Sequence, residues 1–410
     1  MYVNRALSIL ITNIWLDHRA GSEVVVRDLA IGLLRRGHRP VVYSPTLGEI
    51  AAELDAKGIV VIDDLRRLTE PPDVIHAHHT IPCGEALIRF PNTPAVYVCH
   101  AFASWMEAPV HFPQIAAYVA VDEATRDRLV QAEGIDPARV RVVPNGVDLQ
   151  RIPPRPHPPG VRPRRAIAFG KASAVAPAIQ QACAALGIEF QAIGHPVGRQ
   201  IAYPEQELVT FDLAFASARA ALESLCCGCA VIACDGRGIA GLVTSGDFAA
   251  LCSRNFGLRT FGDPVTVERC IAEIRRYDAA DALKISEMAR QHADLQPLLD
   301  TWEALYAEAI EGARRSPVEP SAHVHAVSRF LHENLPRRPA DTRWPWMSER
   351  AELMRRIEQR EAQLAAADAA GRAAQDERAA AQHYLNQLKR SRLLRLGRQV
   401  RRMLGRPLPY

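Results

Sequence analysis

Arg219 and Glu223 stand four residues apart in the run Ala218-Arg-Ala-Ala-Leu-Glu-Ser-Leu-Cys-Cys-Gly228. On a helix that spacing puts a cation and a carboxylate on one face. An apolar strand, Phe211 to Ala216, precedes the run, and Ser217 is a good N-cap, so a helix is expected to start just beyond the strand's carboxyl end. The amides of its first turn would face whatever binds there. A cation, exposed amides and one carboxylate suit a ligand carrying both phosphate and hydroxyls, such as a nucleotide sugar. Arg219 is the phosphate cation in this reading.

Other chemistry-bearing residues sit at expected strand ends. Gly21-Ser22-Glu23 opens a helix after an apolar strand over Leu7 to Trp15. Glycine there lets a backbone approach a ligand closely. His76, His78 and His79 close one strand, and His100 closes another. Strand alternation sends His76 and His78 to one face without a carboxylate at metal-ligand spacing, so they read as structural or acceptor-lining. Cys226-x-x-Cys229 invites a zinc reading, but no second Cys or His pair follows at finger-like spacing. The nine cysteines read as reduced and buried.

These residues need a scaffold that brings strand ends together. At 410 residues the chain is too long for one ordinary core, and 48% hydrophobic with 23% charged residues marks it as globular. Short apolar runs at Leu7–Trp15, Pro40–Ser44, Ile59–Ile62, Val74–His78, Ala95–Cys99, Tyr118–Val121 and Val140–Val143 alternate with helical stretches such as Ser22–Arg36. Alternation restarts after a Pro-rich spacer (Pro153 to Pro163) with Ala166–Phe169, Ile188–Ile193, Phe211–Ala216 and Ala230–Cys234. The pattern predicts an α/β protein of two doubly wound, Rossmann-like domains: residues 1–152, a hinge at 153–165, and residues 166–312. No apolar run is long enough to span a bilayer, and the N-terminus lacks a signal-peptide layout, so a cytoplasmic protein is expected.

The remainder differs in kind. Residues 313–347, rich in Pro, His and Arg, read as a linker with little core of its own. Residues 348–390 predict a long solvated helix that could form a coiled coil, with Ile357, Leu364, Leu385 and Leu388 in heptad phase. The final segment, 391–410, sets Leu393, Leu396, Val400, Met403 and Leu404 along one stripe among arginines. Eight Lys or Arg and no acid lie between Lys389 and the end, so setting them aside takes the net charge from +4 to −4 for the rest. A basic amphipathic tail points to an anionic membrane surface. No aromatic interleaving supports a nucleic-acid partner.

Taken in order, several of these motifs resemble the glycosyltransferases group 1 family. The resemblance rests on Gly21-Ser-Glu with Leu-Ala-Ile-Gly-Leu-Leu-Arg-Arg-Gly37-His38, Asp73-Val-Ile-His-Ala-His78, His100, Pro144-Asn-Gly-Val-Asp148 and Leu222-Glu-Ser-Leu-Cys-Cys-Gly228, over about residues 5–312. It implies the two-domain GT-B architecture and a retaining, metal-independent sugar transfer from a nucleotide-sugar donor, with the donor held mostly by the second domain and the acceptor by the first. No cofactor is expected. By the same resemblance Gly21 lies beside the donor phosphates and His100 near the transferred sugar. Lys171 stands where the family has a Gly-Arg pair on the diphosphate, and Glu223 where it holds the ribose. Two features depart from the family. The family's earlier glutamate would fall at Phe215, and the lysine beyond the Gly-Arg pair is replaced by Ala174, Val175 and Ala176.

The expected activity is therefore transfer of a sugar to a cell-surface glycan or lipid-linked acceptor. The alternative is a catalytically weak or inactive GT-B scaffold in a membrane-associated glycan-assembly complex. A glycosidase would need two carboxylates around one bond, and only Glu223 is well placed.

Overall fold

The computed structural model describes residues 5–102 and 104–335. The expectations for 348–390 and 391–410 lie outside those residues. Two sheets organise the described chain, within one compact unit that runs to Glu333.

The first lobe contains β1 (Ser8–Thr12), α1 (Gly21–Arg35), β2 (Arg39–Tyr43), α2 (Glu49–Ala56), β3 (Val60–Ile62), β4 (Val74–His78), α3 (Thr80–Arg89), β5 (Ala95–Cys99), β6 (Ile115–Ala120), α4 (Glu123–Asp127) and β7 (Val140–Val142). The second contains β8 (Arg165–Phe169), α5 (Ala176–Ala185), β9 (Glu189–Ile193), α6 (Pro204–Leu208), β10 (Leu213–Ala216), α7 (Ala218–Cys226), β11 (Ala230–Asp235), β12 (Gly238–Leu242), α8 (Phe248–Ser253), α9 (Val267–Ile274) and α10 (Ala279–Ala293). Two helices follow, α11 (Leu295–Arg315) and α12 (Pro320–Asn334).

The first sheet is parallel throughout, in the order β3-β2-β1-β4-β5-β6-β7. Strand order reverses between β1 and β4, the place where such sheets open a crevice at their carboxyl ends. Alternate residues feed opposite cores. Ile9, Ile11, Val96 and Val98 pack on one face with α1, while Leu10, Ala95, Tyr97 and Cys99 pack on the other with α3. Helices cover both faces, so β4 and β5 are buried along their whole length, as continuous apolar strands of parallel sheets are.

The second sheet has the order β12-β11-β10-β8-β9, and its switch point lies between β10 and β8. All its pairings are parallel except β11 with β12. The edge strand β12 was not legible in the sequence, because Gly238-Ile-Ala-Gly-Leu242 has too few β-branched residues to signal it. Ala214 and Ala216 face the α7 side, whereas Leu213 and Phe215 face the opposite core.

Two expectations about the C-terminal part are corrected. Residues 298–312 fall within the span 166–312 expected to form the second domain. As part of α11 they pack instead on the first sheet, with Leu299, Trp302, Leu305 and Tyr306 buried among Ile9, Val74 and Val96. Residues 313–347 were expected to be a linker. In their described part they continue α11 to Arg315 and form α12, which buries Ala326 and Phe330 against Cys83, Leu87 and Phe112 of the first lobe. Those two apolar residues sit four apart, enough for one helical stripe but too few to stand out among Pro, His and Arg.

Candidate active site

The carboxyl ends of the two sheets face a cleft of about 560 Å³. Gly21, Glu23, His79, His100 and Glu107 line it from the first lobe, and Lys171, Arg219 and Glu223 from the second. The four positions expected to meet a donor or its sugar by resemblance, Gly21, His100, Lys171 and Glu223, therefore share one cavity.

Gly21 is the first residue of α1, whose N-cap Ala20 has no capping side chain. The amides of Gly21 and Ser22 are thus left for a ligand, while the Glu23 amide is bound to its own carboxylate. A Cβ built at Gly21 would meet no protein atom within 4 Å, so the space in front of it is open. Across the cleft, Gly170 takes a left-handed φ of 66° at the end of β8, and Lys171 follows it with an exposed side chain. The cleft walls, then the nearby Arg237 charge, lower the Lys171 ammonium pKa from its ordinary value.

Glu223 is buried, and both arginines bound to it approach Oε1: Arg151 Nη2 donates at 2.7 Å and Arg219 Nε at 3.2 Å. The four-residue spacing does place Arg219 and Glu223 together. Arg219 is not, however, a free phosphate cation. Its Nη1 donates to Gly146 O at 2.8 Å and its Nη2 to Asp28, and it is 7% exposed. All three of its nitrogens are already engaged, Nε with Glu223 on the same helix and the two Nη in joining the lobes. Burial pushes the Asp28 carboxyl up, but the Arg219, Arg27 and Arg151 charges outweigh it and hold its pKa below the usual value. Arg151 also pairs with Glu205.

Ser217 occupies the N-cap position but makes no capping bond; its hydroxyl donates to Asp235 Oδ2 at 2.9 Å. Ala218 takes φ of 51°, a conformation that costs a non-glycine residue energy. His79, at φ 63°, is strained in the same way, whereas Asn255, at φ 53°, takes a conformation asparagine tolerates; all three line the cleft. Strain of this kind concentrates at functional sites.

His100 sits on a stack of imidazoles. Its Nε2 lies 2.6 Å from His78 Nδ1, the two rings nearly parallel at 4.8 Å. His78 in turn abuts His76 at 4.7 Å, and His76 Nδ1 lies 2.7 Å from the Tyr306 hydroxyl. Burial, reinforced by Arg219, lowers the His100 pKa to about 4; burial, reinforced by His100, takes His76 and His79 to about 3. All are neutral at pH 7. His76 and His78 are interior residues, and His79 is the member of the trio that reaches the cleft.

Sequence reasoning missed Arg151, Asp28, Glu205 and Glu107, and named Glu23 only as part of a helix opening. Asp28 carried a signal: an acid inside the apolar run Val24-Val-Val-Arg-Asp-Leu-Ala-Ile31. Glu107 carried none, since its placement depends on an irregular turn. Phe215, eight residues before Glu223, is buried in β10 with its ring turned away from α7. Cys226 and Cys229 are buried and free, with burial raising their thiol pKa values to about 12. Among the described residues no group of three His, Cys, Asp or Glu side chains is set to hold a metal ion.

Residues 19–151 match the model for Glycosyltransferase Family 4. That match lies within the first lobe and covers about a third of the chain. The whole two-lobed body has the GT-B fold, as two solved structures make plain. A glycosyltransferase from Rickettsia africae superimposes with a TM-score of 0.52 at 14% identity, covering 74% of this chain and 99% of that one. Alr3699/HepE from Anabaena, crystallised with UDP and glucose, superimposes with a TM-score of 0.50 at 17% identity, covering 73% and 100%. No curated protein matches the sequence. Among the described residues no helix is long and apolar enough to cross a membrane.

Proposed function

We propose that this protein is a glycosyltransferase that moves a sugar from a nucleoside diphosphate to a cell-surface glycan or lipid-linked acceptor, with retention and without a metal ion. The observation that carries the donor half is the convergence of the α1 amides at Gly21, the Lys171 ammonium and Glu223 on one cleft. Amides and the lysine offset the diphosphate charge as the bond to the sugar breaks. Glu223, held at Oε1 by two arginines, presents its second oxygen to ribose hydroxyls. His100, neutral, receives a hydroxyl of the transferred sugar. The UDP and glucose in the Anabaena structure make a uridine donor the first to try.

Retention, metal independence and the acceptor class rest on the family resemblance. The basic tail at 391–410 supports docking on an anionic membrane, where a lipid-linked acceptor would be met.

The test is calorimetry of UDP, GDP and ADP with the full chain, with and without EDTA and magnesium, followed by turnover of the matching sugar nucleotides. Binding that survives EDTA and weakens about tenfold in Lys171→Ala and Glu223→Gln supports the reading. Failure of every nucleotide to bind would leave the scaffold alternative, for which the buried Phe215 is the favouring observation. Glycan production that survives both substitutions but is lost on deleting residues 348–410 selects that alternative. Co-sedimentation with phosphatidylserine vesicles, lost on deleting 391–410, tests the membrane contact.

A further inference from the structure

A small cavity of about 20 Å³ adjoins the cleft and shares His100 and Arg219 with its wall. His76, His78, Asp28 and Trp302 also line it. Two of these residues bring polar atoms that have no hydrogen-bond partner among the described residues, His78 Nε2 and Asp28 Oδ1. Both side chains are interior, with Asp28 1% exposed and His78 wholly buried. Arg27 Nη1 lies 3.3 Å from Asp28 Oδ1 but outside hydrogen-bond geometry, and the other oxygen is taken by Arg219. Unpaired polar atoms in the interior are costly and call for a partner. A water needs roughly 10–15 Å³ and at least two polar partners, so this cavity fits one water and little else. A cation fits poorly, because the Arg219 guanidinium stands in the same wall.

One hydrogen bond connects the cavity to the cleft. His78 Nδ1 and His100 Nε2 are 2.6 Å apart, with ring planes 11° from parallel. Burial keeps both imidazoles neutral at pH 7, so a single proton lies between the two nitrogens. The nitrogen that carries it decides the state of the other nitrogen on each ring. The backbone holds both residues in place. Thr12 Oγ1 donates to the His78 carbonyl oxygen at 2.9 Å and accepts the His78 amide at 3.1 Å, while Glu107 Oε2 accepts the His100 amide at 2.9 Å.

We propose that one water binds in this cavity, joins Asp28 to His78, and thereby fixes His100 as a hydrogen-bond acceptor toward the cleft. A carboxylate only accepts, so the water turns one hydrogen to Asp28 Oδ1. A chain of hydrogen bonds strengthens itself when its hydrogens all point one way. His78 Nε2–H then donates to the water, and His100 Nε2–H donates to His78 Nδ1. His100 Nδ1 is left bare, ready to take the hydrogen of a ligand hydroxyl. His78 is a positioning residue in this arrangement, and Asp28 acts through it. The same carboxylate carries the ion pair with Arg219, so the lobe junction and the His100 contact share one anchor. That the hydroxyl belongs to the transferred sugar rests on the sugar-transfer reading above; the water and the tautomers do not.

Diffraction from crystals of the full chain, at a resolution that shows ordered solvent, tests the site itself. One water within hydrogen-bond distance of both Asp28 Oδ1 and His78 Nε2 is expected, and a dry cavity overturns the proposal. Nitrogen-15 NMR at pH 7 reads the tautomers without any donor. Shifts that mark both Nε2 atoms as protonated and His100 Nδ1 as bare support it, and a proton on His100 Nδ1 overturns it. His78→Phe keeps the ring's bulk but cuts the chain. It should release His100 to a mixture of tautomers and weaken UDP-glucose about fivefold, with UDP bound within about twofold of the parent. His78→Asn keeps an accepting oxygen near the Nδ1 position and should restore the His100 tautomer and most of the UDP-glucose affinity. A His78→Phe protein with the parent tautomer and the parent affinity for UDP-glucose overturns the proposal. Equal weakening of UDP and UDP-glucose marks a merely structural role and overturns it too. GDP- and ADP-glucose run in parallel. A chain that binds none of the nucleotides overturns the donor reading, and diffraction and NMR then decide the water and the tautomers on their own.

Discussion

Asp28 of the first lobe and Arg219 of the second form an ion pair in which both side chains are buried. The pair spans the lobe boundary directly behind Glu223, and Arg219 also holds Glu223 Oε1. The carboxylate expected to hold the donor is therefore positioned partly from the opposite lobe. Without the Asp28 charge, buried Arg219 keeps only Glu223 as a carboxylate partner, at 3.2 Å, and breaking a buried pair in this way costs up to about 3–5 kcal/mol. Asp28→Asn should lower the stability measured by urea unfolding by that amount. The double variant Asp28→Asn, Arg219→Met removes both charges and should recover most of the loss. A single variant as stable as the parent would show that the pair contributes nothing across the boundary.

Gly21 supplies a prediction with the opposite character. The space a Cβ would occupy is empty of protein atoms, and the backbone there is not in the left-handed region, so Gly21→Ala should fold with unchanged stability. The added methyl would intrude where a diphosphate meets the α1 amides. Nucleotide affinity should fall about tenfold, equivalent to about 1.4 kcal/mol. Calorimetry with UDP and thermal unfolding of the same preparation measure the two quantities. Unchanged affinity would place the phosphates elsewhere in the cleft.

The imidazole stack makes an acid limit for the fold. His76 and His79 have pKa values lowered to about 3 and His100 to about 4, chiefly by burial, and His78 is lowered well below 6.5 by the same cause. Unfolded, each would titrate near 6.5. The unfolded chain thus binds more protons below that value, and the stabilising contribution is present above pH 6.5 and lost as pH falls toward 4. Each histidine adds up to about 1.4 kcal/mol per pH unit within that window. Urea midpoints should drop steeply from pH 7 to pH 5, before most carboxylates titrate. A flat profile over that range would mean the imidazoles are solvated.

What the sequence made legible followed from periodicity and order. Continuous apolar runs such as Val74-Ile-His-Ala-His78 gave the strands, and the restart after the Pro-rich spacer gave the two lobes. The switch points then brought Gly21, Lys171 and Glu223 to one cleft because each lies at the start of a helical segment that follows a strand or, for Glu223, in the second turn of one. Arg219 was placed on the right face but given the wrong task. Its partner Asp28 is 191 residues away, and no local spacing encodes such a pairing. Glu107 escaped for a related reason: its position is set by Thr80 bonding to carbonyl oxygens of a turn, which any residue types could supply. The return of α11 to the first sheet was invisible because an amphipathic stripe states what it buries, not which lobe receives it.

Helix α12 offers a test of that last point. Phe330 lies against Gly84 of α3, where any Cβ would overlap its ring, and its ring centre is 5.8 Å from that of Phe112. Besides Phe330, the helix meets the first lobe through buried Ala326, half-buried Val327 and His323, whose Nδ1 lies 2.9 Å from Gln114 Nε2, while Val324 and Leu331 are exposed. Gly84→Val should displace the Phe330 ring and free α12 from the first lobe. Phe330→Ala should free it by deleting the anchor, at a cost of up to about 3–5 kcal/mol. Because undocking one helix caps the loss, the two variants should unfold with nearly the same midpoint. Amide exchange over 320–334 should accelerate in both, while exchange in β4 and β5 stays slow. Protection in α12 equal to the parent in both variants would show that contacts other than Phe330 hold the helix in place.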